Sequence, residues 1–325
     1  MTERKIIDKL VHTPTEIAAA YVTWYRERQK HPGITWGIPV LDKHCLPMRP
    51  GELTTILGRP GMGKSSLLAA LALQEAKRIA EQGQAEHEAV VFVTWENSVE
   101  ELANLLLSGP RHSTTDTVRG LVPIKQVEKE CVSFLRKPIF IIGRGVGGLD
   151  AHKIRMTPDV VFEAIETMWE YWKIKPTLLL FDFLQLIPSK THKDRLEQVT
   201  EAPIRIKELA LTVGAPAVAA VQAARRVDTY KVKIPKPGDS QWSSAIEQIS
   251  DRMLGLWRPI LTEDVETITI GNGKVIPITE NLLLVRKLKE RFNIGSANMM
   301  LYFDPALLRL CEMEISNLNE MAGLT

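Results

Sequence analysis

Eight consecutive residues, Gly58-Arg59-Pro60-Gly61-Met62-Gly63-Lys64-Ser65, fit the spacing G-x-x-x-x-G-K-[ST] in full, and Ser66 follows them. Glycines at these positions let successive backbone N–H groups turn inward and cradle phosphate oxygens. A helix starting at the end of the loop adds its dipole. In such a loop Lys64 reaches the β- and γ-phosphates, and Ser65 ligates Mg2+ through its hydroxyl. The flanks are those the motif needs, an apolar run LTTIL before it and a helix-forming run SSLLAALALQEAKR after it. The implied chemistry is nucleoside triphosphate binding, with ATP and Mg2+ as the expected ligands.

Three further polar residues close apolar runs. In Thr177-Leu-Leu-Leu-Phe-Asp182 a carboxylate ends four apolar residues. An unpaired carboxylate is costly inside such a run, so Asp182 is expected at a strand end, holding Mg2+ through its water shell. Val90-Val-Phe-Val-Thr-Trp-Glu96 offers a second carboxylate after the first strand beyond the phosphate loop. Hydrolysis needs a group to orient and deprotonate the attacking water, and Glu96 is the candidate base. Glu100 and Glu101, on the helix that follows, read as solvated. Ala217-Val-Ala-Ala-Val-Gln222 ends in an amide that could sense a γ-phosphate and signal to the basic loop beside it.

The elements that must position these groups alternate. Strand-like runs at 52–57, 89–95, 139–142, 177–181 and 217–221 are separated by helical stretches at 64–82, 99–107, 158–172 and 196–212. Strands apolar throughout and separated by helices indicate a parallel sheet covered on both faces, an α/β fold. After residue 250 the helices mostly stop. Runs at 253–257, 282–288, 298–303 and 307–311 then read as strands finishing the sheet with antiparallel pairs. Ahead of all this, Thr13 to Lys30 reads as a capped helix that ends before His31-Pro32-Gly33.

Composition narrows the class. The 325 residues carry 41 Lys and Arg against 39 Asp and Glu, a formal charge of +2, and 45% are apolar, as in a soluble globular protein. Cys45, Cys131 and Cys311 are odd in number and widely spaced, which suggests neither a disulfide framework nor a cysteine metal site. The longest apolar run of note, 178–187, contains Asp182 and Gln185 and is about half the length of a membrane span. No signal-peptide pattern opens the chain, so a cytoplasmic location is expected.

The even charge balance hides an uneven distribution. The loops 188–195 and 224–237 hold eight basic residues against two acidic ones, a net of +6, which leaves the rest of the chain at −4. Both follow strands at the expected functional edge of the sheet. Arg225, Arg226, Lys231, Lys233 and Lys236, with Tyr230 for stacking, suit a single-stranded nucleic acid, and Lys190, Lys193 and Arg195 form a second, shorter group.

The order of phosphate loop, Glu96, Asp182 and Gln222 resembles the RecA-like ATPase domain of DnaB-type hexameric replicative helicases, and more loosely the RadA ATPases. The likeness runs over residues 34–312. GITWGIPVLDKHC leading into the loop resembles the family's G-I-x-x-L-D segment; LLLFDFLQLI is close to its I-D-Y-L-Q-L; and VAAVQAARRVD is similar to A-L-S-Q-L-N-R. Ala245-Ile246-Glu247-Gln248 and Asp251 match the family directly. Lys287-Leu-Lys289-Glu-Arg291-Phe292 resembles its K-Q-R segment, which implies that Lys289 and Arg291 reach the neighbouring subunit's γ-phosphate.

The resemblance implies a RecA-like domain over 34–325, a tail and linker-type helix over 1–33, and a homo-oligomeric ring, hexameric in the family, on single-stranded DNA. Loader, replication or recombination proteins are the implied partners. Two departures stand out. The first 33 residues are too few for the family's N-terminal helical domain, and the family's Arg-Glu is here Gln241-Trp242, where Trp242 could stack on a base. The leading expectation is an ATP-driven translocase or helicase. The alternative is an ATP-dependent assembly or loading factor that recruits partners without unwinding. A small-molecule kinase has no use for the basic loops. A GTPase would need a guanine-reading N-K-x-D, which is missing after the loop.

Overall fold

Strands with apolar residues on both faces need cover on both faces, and helical crossovers supply it. The structure, a computed structural model, describes residues 11–109, 113–145, 154–188, 194–240, 244–270, 274–293 and 295–313. It divides into two units, residues 1–34 and 35–325.

In the first unit, α1 (Pro14–Lys30) begins at a capping box. The Thr13 hydroxyl accepts from the Glu16 N–H, and the Glu16 carboxylate accepts from the Thr13 N–H. Tyr21 stacks on Trp24 at 5.4 Å, and the Arg28 guanidinium lies 4.0 Å above the Trp24 ring.

In the second unit, short α2 (Pro39–His44) precedes β1 (Leu53–Gly58), α3 (Lys64–Glu81), β2 (Glu88–Thr94), α4 (Val99–Leu107), α5 (Thr114–Val118), α6 (Ile124–Phe134), β3 (Ile139–Ile142), α7 (Pro158–Trp172), β4 (Lys175–Asp182), α8 (Arg195–Val213) and β5 (Ala217–Gln222). Then come α9 (Ala245–Ile249), β6 (Arg252–Trp257), β7 (Thr267–Ile270), β8 (Lys274–Pro277), β9 (Leu282–Glu290), β10 (Ala297–Asp304) and β11 (Arg309–Glu312). Nine strands form one sheet in the order β11-β10-β9-β6-β1-β5-β4-β2-β3. The six from β6 to β3 run parallel, while β9, β10 and β11 add in antiparallel fashion. The mostly parallel sheet with antiparallel C-terminal strands is therefore as the alternation of the sequence anticipates.

All six residues of β1 are buried. Its crossover helix α3 turns Leu67, Leu68, Leu71, Ala72 and Ile79 into the core. On the other face, Val161, Ile165 and Met168 of α7 and Ile206 and Ala210 of α8 pack against Leu179, Phe181, Ala217 and Ala219. This cover fixes the strands, and register fixes their ends: Gly58 lies opposite Gln222, and Thr94 opposite Asp182. The C-terminal ends of β1, β5, β4 and β2 thus finish at one edge, where open parallel sheets place their ligands.

Four elements go beyond the sequence reading: α2, α5, α6 and the separate β7–β8 hairpin. The last strand also starts two residues later than the pattern suggested, at Arg309.

Candidate nucleotide site

The phosphate loop leaves β1 at Gly58 and enters α3 at Lys64. Gly63 caps that helix at φ +86°, in the left-handed region, and a Cβ there would stand 2.9 Å from the Phe303 ring. Both constraints require glycine. The Lys64 ammonium donates to the carbonyls of Gly58 and Arg59, each at 3.0 Å. Burial pulls its pKa down to about 8, against the opposing pull of Asp182 and Glu96. An anion in the loop would relieve that penalty.

One cavity gathers Pro60, Gly61, Gly63, Lys64, Ser65 and Ser66 with Glu96, Asp182 and Gln222. Glu96 is exposed, and its turn is fixed from both sides. The Thr94 hydroxyl exchanges hydrogen bonds with the backbone of Asn97, and the Trp95 N–H donates to Asp182 O at 2.9 Å. The Trp95 indole N–H donates to Met156 O at 2.7 Å. Asp182 is buried, and burial pushes its pKa up to about 6, with Glu96 adding to the rise and Ser65 and Lys64 opposing it. Its Oδ2 is buried with no hydrogen-bond partner among the described residues.

That orphaned oxygen beside Ser65 is what the water shell of a hard cation would satisfy, so the residues present fit Mg2+. Among the described residues no group of three or more His, Cys, Asp or Glu could hold a metal. A cation held by one carboxylate, one hydroxyl and phosphate oxygens needs no such group.

Gln222 is held by Gln185, which stands inside the L-Q-L resemblance and carried no role of its own there. The buried Gln185 amide accepts from the Gln222 N–H and donates to the Gln222 carbonyl, both at 3.0 Å, leaving the Gln222 side chain in the cavity wall. Arg258, Phe303, Pro305 and Phe183 complete the wall, and none was expected there from the sequence. Arg258 lies 5.0 Å above the Phe303 ring. No local pattern could have marked Arg258, Phe303 or Pro305, because they arrive through the C-terminal strands.

Gly58, Arg59 and Met62 are not in the wall. Met62 is buried, and its sulfur accepts from the Arg258 N–H at 3.2 Å. The Arg59 side chain turns to Asp228.

Lys289 and Arg291 also lie apart from this cavity. Lys289 donates to Glu247 O at 2.6 Å, and burial lowers its pKa. The exposed Arg291 guanidinium faces Asp251 at 3.4 Å.

In the basic loop, Arg225, Arg226, Lys231 and Lys236 are exposed. The loop is internally knotted on buried Asp239, which accepts from Arg226 Nε at 2.6 Å, the Tyr230 hydroxyl at 2.9 Å and the Lys236 N–H at 2.7 Å. Burial raises the Asp239 pKa, but these donors outweigh it and the net shift is downward. Lys233 is ion-paired with Glu263. Lys190, Lys193, Gln241 and Trp242 lie outside the described residues.

The sheet order, the loop and the strand-end residues together define a nucleotide-binding edge, and comparison with known proteins specifies it. The model of the DnaB-like helicase C-terminal domain matches residues 33–291. The chain belongs to this family. The replicative DNA helicase DnaB of Rickettsia bellii is 28% identical over 236 residues, 70% of this chain and 45% of that protein. The Mycoplasma pneumoniae DnaB is 26% identical over 261 residues, 78% of this chain and 52% of that protein. The chain thus spans about half the length of the curated relatives it matches.

Among solved structures, one ATPase domain superposes with a TM-score of 0.72 at 18% identity, covering 92% of this chain and 99% of that one. A DnaB-like replicative helicase studied with its interactions with primase gives 0.70 at 18%, covering 91% and 66%. These two likenesses show the fold, a mostly parallel α/β sheet shared with those domains. Among the described residues no helix of this DnaB-like domain is long and apolar enough to cross a membrane.

Proposed function

We propose that this DnaB-like domain hydrolyses ATP with Mg2+ and uses the cycle, in an oligomeric ring, to move along or unwind DNA. One observation carries the reading: Gly61, Gly63 to Ser66, Glu96, Asp182 and Gln222 share a single cavity at the C-terminal edge of the parallel strands.

In this reading the loop N–H groups and Lys64 hold the triphosphate. Ser65 and Asp182 hold the cation, which neutralises charge on the phosphates. Glu96 orients the water and takes its proton, Gln222 contacts the γ-phosphate, and Arg258 over Phe303 offers a flat face to the base. Lys289 and Arg291, outside their own chain's cavity, serve the site of the adjacent subunit. The exposed cations of 224–237 meet the nucleic acid, with replication proteins as further partners.

The test is ATP hydrolysis by the purified chain with and without oligothymidylate, together with displacement on a forked duplex. Hydrolysis stimulated by the oligonucleotide and abolished by Lys64→Ala is expected. Hydrolysis indifferent to single strands of every length would sink the motor. Stimulation without displacement would turn the reading to a loader.

A further inference from the structure

Arg59 occupies the first variable position of the phosphate loop, yet its side chain leaves the cavity. Its Nε donates to both carboxylate oxygens of Asp228, at 3.1 and 3.2 Å, and its Nη1 donates to Ala223 O at 3.1 Å. Asp228 lies in the short helical turn Arg225–Thr229 that opens the basic loop. It is the single acidic residue among the five basic ones of 224–237. A carboxylate is a poor choice on a surface meant for a polyanion unless it has another task, and the Arg59 guanidinium supplies one.

The backbone completes the link. Gly58 O accepts from the Ala223 N–H at 3.1 Å and also from the Lys64 ammonium at 3.0 Å, while Arg59 O accepts from the same ammonium. The carbonyls that hold Lys64 thus belong to the two residues that grip the start of the basic loop. A phosphate that draws the Lys64 ammonium toward itself removes a donor from both carbonyls. Such a loss would free the peptide between Gly58 and Arg59 to reorient, and the Arg59 side chain would carry that change to Asp228.

We propose that Asp228, through Arg59, is a positioning residue that couples the occupancy of the phosphate loop to the conformation of the basic loop 224–237. Buried Val227 fixes one side of the turn, so displacement of Asp228 rotates exposed Arg225 and Arg226 about it. The inference rests on the reading of the cavity as an ATP site. It adds a contact between the two sites that neither the strand-end residues nor the basic loop contains alone.

The experiment uses the full chain and Asp228→Asn. The non-hydrolysable analogue AMP-PNP with Mg2+ is the probe, and hydrogen exchange over 224–237 is the readout. In the unsubstituted chain the analogue is expected to change exchange across the loop several-fold. In Asp228→Asn the analogue should bind as well and basal hydrolysis should stay within about twofold, because the cavity is untouched. The response of the loop should nevertheless vanish, and stimulation by oligothymidylate should fall several-fold. Asp228→Glu, which keeps the charge, should restore both.

A loop that responds equally in the unsubstituted and Asp228→Asn chains overturns the coupling, as does a loop that never responds to bound analogue. Both outcomes leave the ATP site standing. Failure of the unsubstituted chain to bind the analogue overturns the ATP site and the coupling together.

Discussion

Cys45 shows how strongly position controls chemistry at the scale of one residue. It is buried beside Glu290, and burial first, then that carboxylate, pushes its thiol from an ordinary 9.0 up to about 12. The folded chain keeps this proton where the unfolded chain releases it. The associated stability is therefore full below pH 9.0 and is lost as pH rises toward 12. Thiolate is the reactive form, and Cys131 is exposed. An aromatic disulfide reagent at about pH 8 should modify Cys131 quickly and Cys45 only after denaturation. Cys131→Ser should remove a fast phase, and rapid labelling of Cys45 in the native protein would contradict its burial.

Gly63 makes the companion case for the phosphate loop. Gly63→Ala meets both a φ of +86° and the Phe303 ring, and should cost about 1–2 kcal/mol in a urea melt. It should also weaken nucleotide binding, because the loop cannot keep its shape. An alanine variant as stable and as tight-binding as the parent would show that the loop relaxes freely.

Among elements, Asp251 ties the parallel half of the sheet to its antiparallel extension. Its carboxylate accepts from the Leu53 N–H at the start of β1, at 2.8 Å, and from the Lys207 ammonium of α8. It also faces the guanidinium of Arg291, just beyond β9, at 3.4 Å. Removing this buried carboxylate leaves the Leu53 N–H without its acceptor, while the exposed Arg291 is compensated by water. Asp251→Ala should therefore lose about 1–3 kcal/mol in denaturant unfolding. Asp251→Asn, which can still accept from Leu53, should lose less. Equal losses would mean that the bond from Leu53 contributes nothing and that the cations account for the whole effect.

The sequence discloses such links unevenly. Asp182, Glu96 and Gln222 were legible because each interrupts or ends an apolar run, and the parallel sheet was legible because strands buried on both faces lose the alternation of period two. The helices α5 and α6 were not, since neither has a buried residue and so neither shows a core-facing stripe. The β7–β8 pair has four residues in each strand, too few for a periodic signal. Arg258 and Phe303 join the site only through a sheet order that gathers β6 and β10 on the same side of β1. Contacts of that range carry no local pattern. The basic loop was legible as charge, but its knot on Asp239 was not, because composition counts cations without showing which are already paired.

At the scale of the whole molecule, the arrangement of Lys289 and Arg291 leads to the last expectation. In its own chain Arg291 is held at Asp251, away from the cavity that gathers Lys64 and Glu96, while 65% of its side chain remains exposed. A cation that acts on a γ-phosphate from this position must act on the nucleotide of another copy. Glu96→Gln and Arg291→Ala should then each be inactive alone for different reasons, one lacking the base and the other the neighbour's charge.

Mixed before oligomers form, the two variants create some interfaces in which a subunit with intact Glu96 faces a neighbour with intact Arg291. With random assembly at equal amounts about a quarter of the interfaces are of this kind, so hydrolysis should recover to roughly that fraction of the unsubstituted rate. Recovery should disappear under conditions that dissociate the oligomer. A mixture as inactive as its components, in oligomers shown by mass to contain both variants, would remove Arg291 from the neighbour's site.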